Sequence, residues 1–221
     1  KEEYDTLPGS YDDNGDVEQL VIYLKDRNYN LTLELHYYVY EKCDIITRSA
    51  KLVNSGNESV RLERLMSMQL DLNESDYELS FFNGAWAREM NRSGIPIRAG
   101  KYVNESVTGT SSNRANPFFM IGRSSTTEDY GECYGFNLIY SGNHYEAAQV
   151  NSYGKLRLVS GINPATFSYI IEAGKCFEAP EAVLTYSYKG YNRMSHNMHE
   201  FVRKHIVRGS WRDKERPVLI N

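Results

Sequence analysis

The chain has 221 residues, of which 41% are apolar, with 16 glycines and 6 prolines, so it is long enough for one large or two small domains and too poor in Gly and Pro for a disordered or fibrous class. Its formal net charge is -4, with acidic and basic residues interspersed. Because binding to phosphate backbones relies on clustered Lys and Arg, we expect no nucleic-acid partner.

The cysteines and the lengths of the apolar runs indicate the cellular compartment in which the protein is expected. Cys43, Cys133 and Cys176 are odd in number and widely spaced, which argues against a disulfide framework and favours a reducing compartment. The apolar runs are too short to span a bilayer, and the first residues, Lys1–Asp5, are the opposite of a signal peptide. We therefore expect a cytoplasmic protein without membrane contact.

Runs with period-two alternation, or rich in β-branched and aromatic residues, recur between Glu18 and Tyr188. Polar turns such as 54–57 and 141–143 separate them, and no helical pattern intervenes. This order predicts a mainly β protein, a large antiparallel two-sheet β-sandwich, rather than a parallel sheet with crossover helices. The predicted strands are Glu18–Leu24, Leu31–Tyr40, Ile45–Val53, Arg61–Leu72, Tyr77–Ala87, Phe118–Arg123, Glu132–Tyr140, Tyr145–Val150, Leu156–Ser160, Phe167–Ile171 and Glu181–Tyr188.

One helix is predicted near the end of the chain, over Met194–Val207, with an apolar stripe through Met198 and Phe201 and basic residues in its last turns. Gly209 ends it. The run Arg216–Asn221 then has the composition of a buried strand, which requires partners. We therefore expect the chain to be cut at the entrance to a further domain, and also at its front, where residues 1–16 form an irregular lead-in before a β-sandwich at 17–190 and a helix with linker at 191–215.

Trp86 is the strongest candidate for ligand contact. It follows a strand-like run within Phe82–Met90, behind Gly84 and beside Arg88 and Glu89. A tryptophan that presents both its apolar face and its indole N–H suits the C–H face and hydroxyls of a sugar. On residue type alone, a cap on the sandwich core is an equal alternative for Trp86.

No other motif carries chemistry. The sequence has no Gly-x-Ser-x-Gly elbow, no phosphate-binding glycine loop and no zinc-ligand spacing; His196 and His199 share a helix face but lack the second histidine that a zincin helix requires. We expect no metal and no cofactor, with His196, His199 and His205 as solvated or capping residues. A glycosidase needs two converging carboxyls, and we interpret the adjacent acids as solvated loop charges. These acids are Asp12, Asp13, Asp71, Glu74, Glu128 and Asp129.

Two further segments have alternative interpretations. The stripe of Tyr37, Tyr38 and Tyr40 fits either a ligand platform or cross-strand packing, with packing favoured. The polar loop Gly109–Phe119 fits either a ligand rim or a self-bonded loop, and the sequence does not separate these two.

Many ordered motifs together resemble the N-terminal region of the α-galactosidases of glycoside hydrolase family 36, over nearly the whole chain after Val17. The motifs are Ile45–Arg48, Asn54–Gly56, Asn83–Glu89, Gly109–Ser112, Asn116–Phe119, Thr127–Gly135, Tyr140–Asn143, Gly161–Pro164, Pro180–Glu181, Met194–Ser195 and Arg216–Asn221.

The resemblance implies a β-supersandwich that precedes a catalytic (β/α)8 barrel, with residues 216–221 as the start of that barrel and Val218–Ile220 as its first strand. It also implies a retaining hydrolysis of α-1,6-galactosides such as melibiose and raffinose by barrel aspartates that this sequence lacks, in a full-length homo-oligomer, a tetramer. Trp86 is implied to contact substrate at the mouth of the barrel, with Arg88 and Glu89 holding its loop.

The leading hypothesis is therefore a non-catalytic domain that borders another domain's active site and is inactive alone. The alternative is a stand-alone carbohydrate-binding or assembly module without catalysis. A third hypothesis, that the sandwich itself hydrolyses sugars, needs a carboxyl pair with one raised pKa, which no pair here makes convincing.

Overall fold

The structure, a computed structural model, describes residue 1 and residues 7–220, apart from the side chain of Thr166. Within these residues the chain forms fifteen β-strands, one α-helix and three short 3-10 turns. The strands are β1 (Glu18–Lys25), β2 (Leu31–Tyr40), β3 (Ile45–Asn54), β4 (Val60–Leu62), β5 (Met66–Leu72), β6 (Glu78–Ala85), β7 (Arg88–Pro96), β8 (Gly100–Glu105), β9 (Phe118–Gly122), β10 (Cys133–Leu138), β11 (His144–Val150), β12 (Leu156–Ile162), β13 (Tyr169–Ile171), β14 (Cys176–Glu178) and β15 (Ala182–Ser187). The helix α1 is Gly190–His205, and the 3-10 turns are Glu41–Cys43, Pro164–Thr166 and Gly209–Trp211.

The strands pair in antiparallel sheets. The largest sheet has nine strands in the order β1-β2-β3-β15-β10-β9-β6-β7, with β14 pairing on the second half of β3. A four-stranded sheet has the order β5-β12-β11-β8, and β13 pairs with β4 alone. The predicted mainly β, antiparallel fold with one C-terminal helix is confirmed. The separate pair β13-β4 is an addition to the two predicted sheets.

The two larger sheets enclose the main apolar core. Phe119, Ile121 and Phe136 from the nine-stranded sheet share this core with Met68 and Leu158 from the four-stranded sheet, and all five are buried. The rings of Phe119 and Phe136 stack with centroids 4.6 Å apart. Because side chains alternate along a strand, residues two apart in β9 point into the same core.

Helix α1 packs on the other face of the nine-stranded sheet. Phe201 is buried with Tyr40 and Val183, and Met194 is buried with Met120. The central strands of this sheet are therefore covered on both faces, which explains why β9 is a continuous apolar run rather than an alternating one.

The structure differs from the predicted elements at several strands and at both ends of the helix. The sequence pattern does not predict β7 or β8, most of whose residues are exposed, so no apolar alternation marks them. It also omits β14, and the predicted strand Arg61–Leu72 is two strands, β4 and β5. The helix occupies Gly190–His205 instead of Met194–Val207.

The two ends of the chain have little regular structure. Residues 7–17 form no helix or strand, and residues 2–6, which belong to the predicted irregular lead-in 1–16, lie outside the described residues. Residues 216–220 are unpaired, with the side chains of Val218 and Ile220 exposed, and Asn221 also lies outside the described residues. That Arg216–Asn221 begins a barrel stays a prediction, as do the domain bounds given above.

Helix α1 begins at a glycine that the fold requires. Gly190 has φ 73°, and a Cβ there would lie 2.5 Å from the carbonyl oxygen of Glu128 and 2.6 Å from that of Thr127. We expect Gly190→Ala to lower the free energy of unfolding by at least about 2 kcal/mol, because a backbone clash adds to left-handed strain. Gly154→Ala is the control, since Gly154 also has φ 73° but open space around it. Equal losses in urea unfolding would contradict the role of the clash.

Candidate functional site

Trp86 lies at the tip of the hairpin that joins β6 to β7. Ala85 pairs with Arg88, so Trp86 and Ala87 form the turn, and Ala87 takes the left-handed φ of 55° that a tight turn requires. The Trp86 side chain is 93% exposed. Trp86 therefore does not cap the sandwich core in this chain, and its whole ring is available to a ligand or another domain.

Gly84, in the same motif, allows a second segment to lie against this hairpin. A Cβ at Gly84 would lie 2.7 Å from the carbonyl oxygen of Asn113 and 2.9 Å from the Cα of Glu89. The backbone N–H and the Nδ2 of Asn116 both donate to the carbonyl oxygen of Phe82, at 3.1 and 3.0 Å. The Trp86 hairpin and the loop 109–117 thus form one continuous rim.

The loop 109–117 is extensively hydrogen-bonded. Ser106 Oγ donates to the carbonyl oxygen of Thr110 at 2.6 Å, the N–H of Gly109 donates to Asn143 Oδ1 at 2.7 Å, and the N–H of Ser111 donates to the carbonyl oxygen of Ser141 at 2.8 Å. These bonds anchor the loop to neighbouring segments. Within the loop, the N–H of Arg114 donates to Ser112 Oγ at 3.2 Å and the N–H of Ala115 to the carbonyl oxygen of Ser112 at 3.3 Å, which fits the self-bonded alternative. Its residues Asn113 and Arg114 are nevertheless exposed, on the segment that lies against the hairpin.

A cluster of polar side chains lies beneath the loop: the half-buried Asn104 on β8 with the buried His144 and Glu146 on β11. We call it the Glu146 cluster. Glu146 is 2% and His144 0% exposed. Asn104 Nδ2 donates to Glu146 Oε2 at 2.9 Å, and His144 Nδ1 lies 2.9 Å from the same oxygen, sharing a proton with the carboxyl. Burial raises the pKa of Glu146; burial alone would lower the pKa of His144, but its contact with Glu146 raises it.

Sequence reasoning missed the Glu146 cluster. Its one local signal is a histidine and a glutamate two positions apart in the buried part of a strand, which places both on one face. The third member, Asn104, comes from a strand that the sequence pattern does not predict. The pairing of Glu146 with Asn104 across β11 and β8 brings them together.

An apolar groove of about 560 Å3 lies between α1 and the outward face of the β6-β7 hairpin. Phe82 and Met90 line it from the hairpin, and Met198 and Val202 line it from the helix. His199, an expected solvated residue, is exposed at the same groove. The groove is continuous with the strands that carry Trp86.

The other sequence candidates are dispersed over the surface. The adjacent acids form hydrogen bonds or ion pairs with different partners rather than converging on one another. Asp12 accepts backbone N–H groups of a turn, and the remaining pairs are Asp13 with Arg212, Asp71 with Arg157, Glu74 with Arg123, Glu128 with Arg92 and Asp129 with Asn192.

The helix histidines and the tyrosine stripe have structural environments. His196 is exposed, and His205 Nδ1 donates to the carbonyl oxygen of Tyr11 at 2.9 Å. Tyr38 and Tyr40 are buried on the helix side of the sheet, as the packing interpretation expects, and Tyr37 points to the opposite face.

Arg88 and Glu89 are exposed beside the tip, and within β7 the Nδ2 of Asn91 donates to the carbonyl oxygen of Arg88 at 2.6 Å. Within the described residues, no group of three or more His, Cys, Asp or Glu side chains is arranged to hold a metal ion. No helix in the same part of the chain is long and apolar enough to cross a membrane.

Comparison with known proteins gives the family. Residues 1–172 match the model of the glycosyl hydrolase family 36 N-terminal domain, and residues 176–221 match the melibiase model. The chain belongs to glycoside hydrolase family 36. The resemblance seen in the sequence motifs is thereby confirmed, and the supersandwich of this family is the fold described above.

Several family 36 relatives are similar over almost the full chain. The α-galactosidase AgaA of Geobacillus stearothermophilus is 40% identical over 97% of this chain, and the bifunctional α-galactosidase/sucrose kinase AgaSK of Mediterraneibacter gnavus is 34% identical over 97%. The crystal structure of an α-galactosidase from Lactobacillus brevis matches all of the chain with a TM-score of 0.97 at 39% identity. AgaA in complex with raffinose matches 99% with a TM-score of 0.96 at 38% identity.

This family 36 chain spans only part of those proteins. It covers 30% of the length of AgaA and 23% of AgaSK. It also covers 30% of the Lactobacillus brevis chain.

Proposed function

We propose that this chain is the N-terminal, non-catalytic domain of an α-galactosidase, and that it borders the active site of a catalytic barrel. The observation that carries the proposal is the match of the whole chain, at a TM-score of 0.97, to part of a solved α-galactosidase. The parent enzyme hydrolyses terminal α-1,6-galactosides such as melibiose and raffinose with retention, using barrel aspartates that lie outside this chain.

Trp86 is the substrate-contacting residue in this proposal. Its fully exposed ring stands on a hairpin that Gly84 and Asn116 fix against a neighbouring loop, so its position is defined without being covered. An aromatic face in this setting packs on the C–H face of a sugar, and the indole N–H donates to a hydroxyl. The domain therefore supplies binding and orientation, and the barrel supplies the chemistry.

The apolar groove beside the hairpin supports a barrel docked on this side of the domain. Met90 and Val202 expose apolar surface there, next to the strands that end in Trp86. A barrel packed on the groove would bury that surface and bring its strand ends toward Trp86. We further propose that the parent enzyme is a cytoplasmic homo-oligomer, a tetramer, and needs no cofactor.

An alternative function is a stand-alone carbohydrate-binding module, which the same exposed Trp86 favours. Galactoside binding by the 221-residue chain alone, lost in Trp86→Ala, would support it. Hydrolysis by the sandwich itself is disfavoured, because the adjacent acids are engaged with separate partners instead of facing each other across a cleft.

The activity of the chain and of its parent can be compared directly. The full-length enzyme is expected to release galactose from melibiose and raffinose, and the 221-residue chain at equal concentration is expected to show no turnover above buffer. Circular dichroism confirms that the isolated chain is folded in the same assay. Turnover by the folded chain, or none by the full-length protein, would contradict the proposal.

A further inference from the structure

We infer that the Glu146 cluster is a positioning device for Trp86: the half-buried Asn104 and the buried His144 and Glu146 hold the loop 109–117, which in turn fixes the hairpin that carries Trp86. The inference rests on the proposed function only in that Trp86 contacts substrate there. The mechanical link itself can be measured without any substrate.

The first link runs from the cluster to the main chain of the loop. Asn104 Nδ2 donates to the carbonyl oxygen of Asn116 at 2.8 Å as well as to Glu146, so one amide bridges the buried carboxylate and the loop. His144 Nε2 donates to the neighbouring carbonyl oxygen of Ala115 at 2.9 Å. Two consecutive carbonyl groups of the loop are therefore held from below by side chains that Glu146 orients.

The second link runs from the loop to the hairpin. Asn116 donates twice to the carbonyl oxygen of Phe82, once through its backbone N–H and once through Nδ2. Two residues further on, Gly84 leaves room for the carbonyl group of Asn113 to approach. A displacement of Asn116 would thus remove the support beneath the strand that ends, at Ala85, next to Trp86.

The composition of the cluster fits positioning better than packing. Burying a carboxyl and an imidazole together is costly, and apolar side chains of similar volume often give equal or greater stability at such a site. Ser160, which pairs with Glu146 across β11 and β12, is equally buried, but its hydroxyl has no hydrogen-bond partner among the described residues. Among the strands β8, β11 and β12, the polar side chains that bond to the loop are Asn104 on β8 and His144 on β11.

Hydrogen exchange on the full-length enzyme tests the link. Asn104→Ala is expected to raise the rate of amide hydrogen exchange by about threefold to tenfold in peptides covering 109–117 and 82–92. The reason is that each lost hydrogen bond contributes modestly to the local stability of these segments. Ser160→Ala is the matched control and should leave both segments unchanged. Unchanged exchange at 82–92 in Asn104→Ala would overturn the inference. If Asn104→Ala fails to fold, Glu146→Gln, which keeps the shape and one acceptor, is measured against the same control.

A double-mutant cycle separates positioning from general weakening. Asn104→Ala is expected to lower kcat/KM for raffinose by about threefold to tenfold in the parent enzyme, and to have no further effect when Trp86 is already alanine. Additive losses would show that Asn104 does not act through Trp86 and would overturn the inference. If Trp86→Ala alone leaves the kinetics unchanged, the proposed role of Trp86 fails, while faster exchange at 82–92 would still support the mechanical link.

Discussion

Replacing Trp86 with alanine in the full-length enzyme is expected to lower kcat/KM for raffinose by tenfold or more while leaving the unfolding midpoint unchanged. The ring is 93% exposed, so its removal takes away little that stabilises this domain. Stacking on a sugar that contributes about 1.4 kcal/mol to the transition state corresponds to the tenfold loss. Steady-state kinetics on raffinose and melibiose, together with thermal unfolding of the same preparations, provide the measurement.

Two further variants test whether the effect of Trp86→Ala comes from the indole ring at this position. Trp86→Phe keeps an aromatic face but loses the indole N–H, and is expected to recover part of the lost kcat/KM. Tyr153→Ala removes another aromatic side chain that is 86% exposed, in the turn between β11 and β12, and should change neither kinetics nor stability. A Trp86→Ala enzyme with normal kinetics and a lowered unfolding midpoint would instead make Trp86 a structural contact of the assembled protein.

The largest expected effect on folding is that of Phe136→Ala, a loss of about 3–5 kcal/mol in the free energy of unfolding. Phe136 is buried between the two larger sheets and stacks on Phe119 at 16° between ring planes. Truncation removes both the buried area and the stacked partner, and the flanking strands of a sheet leave little room to collapse around the cavity.

Urea unfolding of the 221-residue chain, followed by circular dichroism, measures this loss. Phe136→Leu keeps a large apolar side chain at the same place and is expected to cost clearly less, so the pair isolates the effect of the cavity. If alanine cost no more than leucine, the inter-sheet core would be more adaptable than the stacked rings indicate.

Most of the fold follows from local patterns in the sequence. The strand at Leu31–Tyr40 was predicted with the bounds that the structure has, because its alternation and the turns around it are unambiguous. Strands β7 and β8 were not, since a strand at an edge or with a solvated surface has no buried face to impose alternation. Strand existence is therefore predictable where apolar residues alternate or form a continuous run, and much less so in strands such as β7 and β8 that have neither pattern.

The candidate site was also predictable only in part: the sequence pointed to Trp86 but not to the Glu146 cluster. Trp86 was identified from its glycine and charged neighbours, but its exposure depends on which strands cover it, and a linear sequence does not contain that information. Asn104 and Glu146 are 42 residues apart and meet only through the register of β8 on β11. Contacts set by strand pairing over such separations require the folded structure.

The exposed tip at Trp86 also has a consequence for substitutions at this position. The side chain at this position buries almost nothing in the domain, whereas the support of its hairpin ends in the buried pair His144 and Glu146. Substitutions at position 86 are therefore expected to cost this domain little folding free energy. Under the proposed role of Trp86, position 86 is a place to randomise in a library screened for galactoside preference, because the scaffold beneath it stays constant.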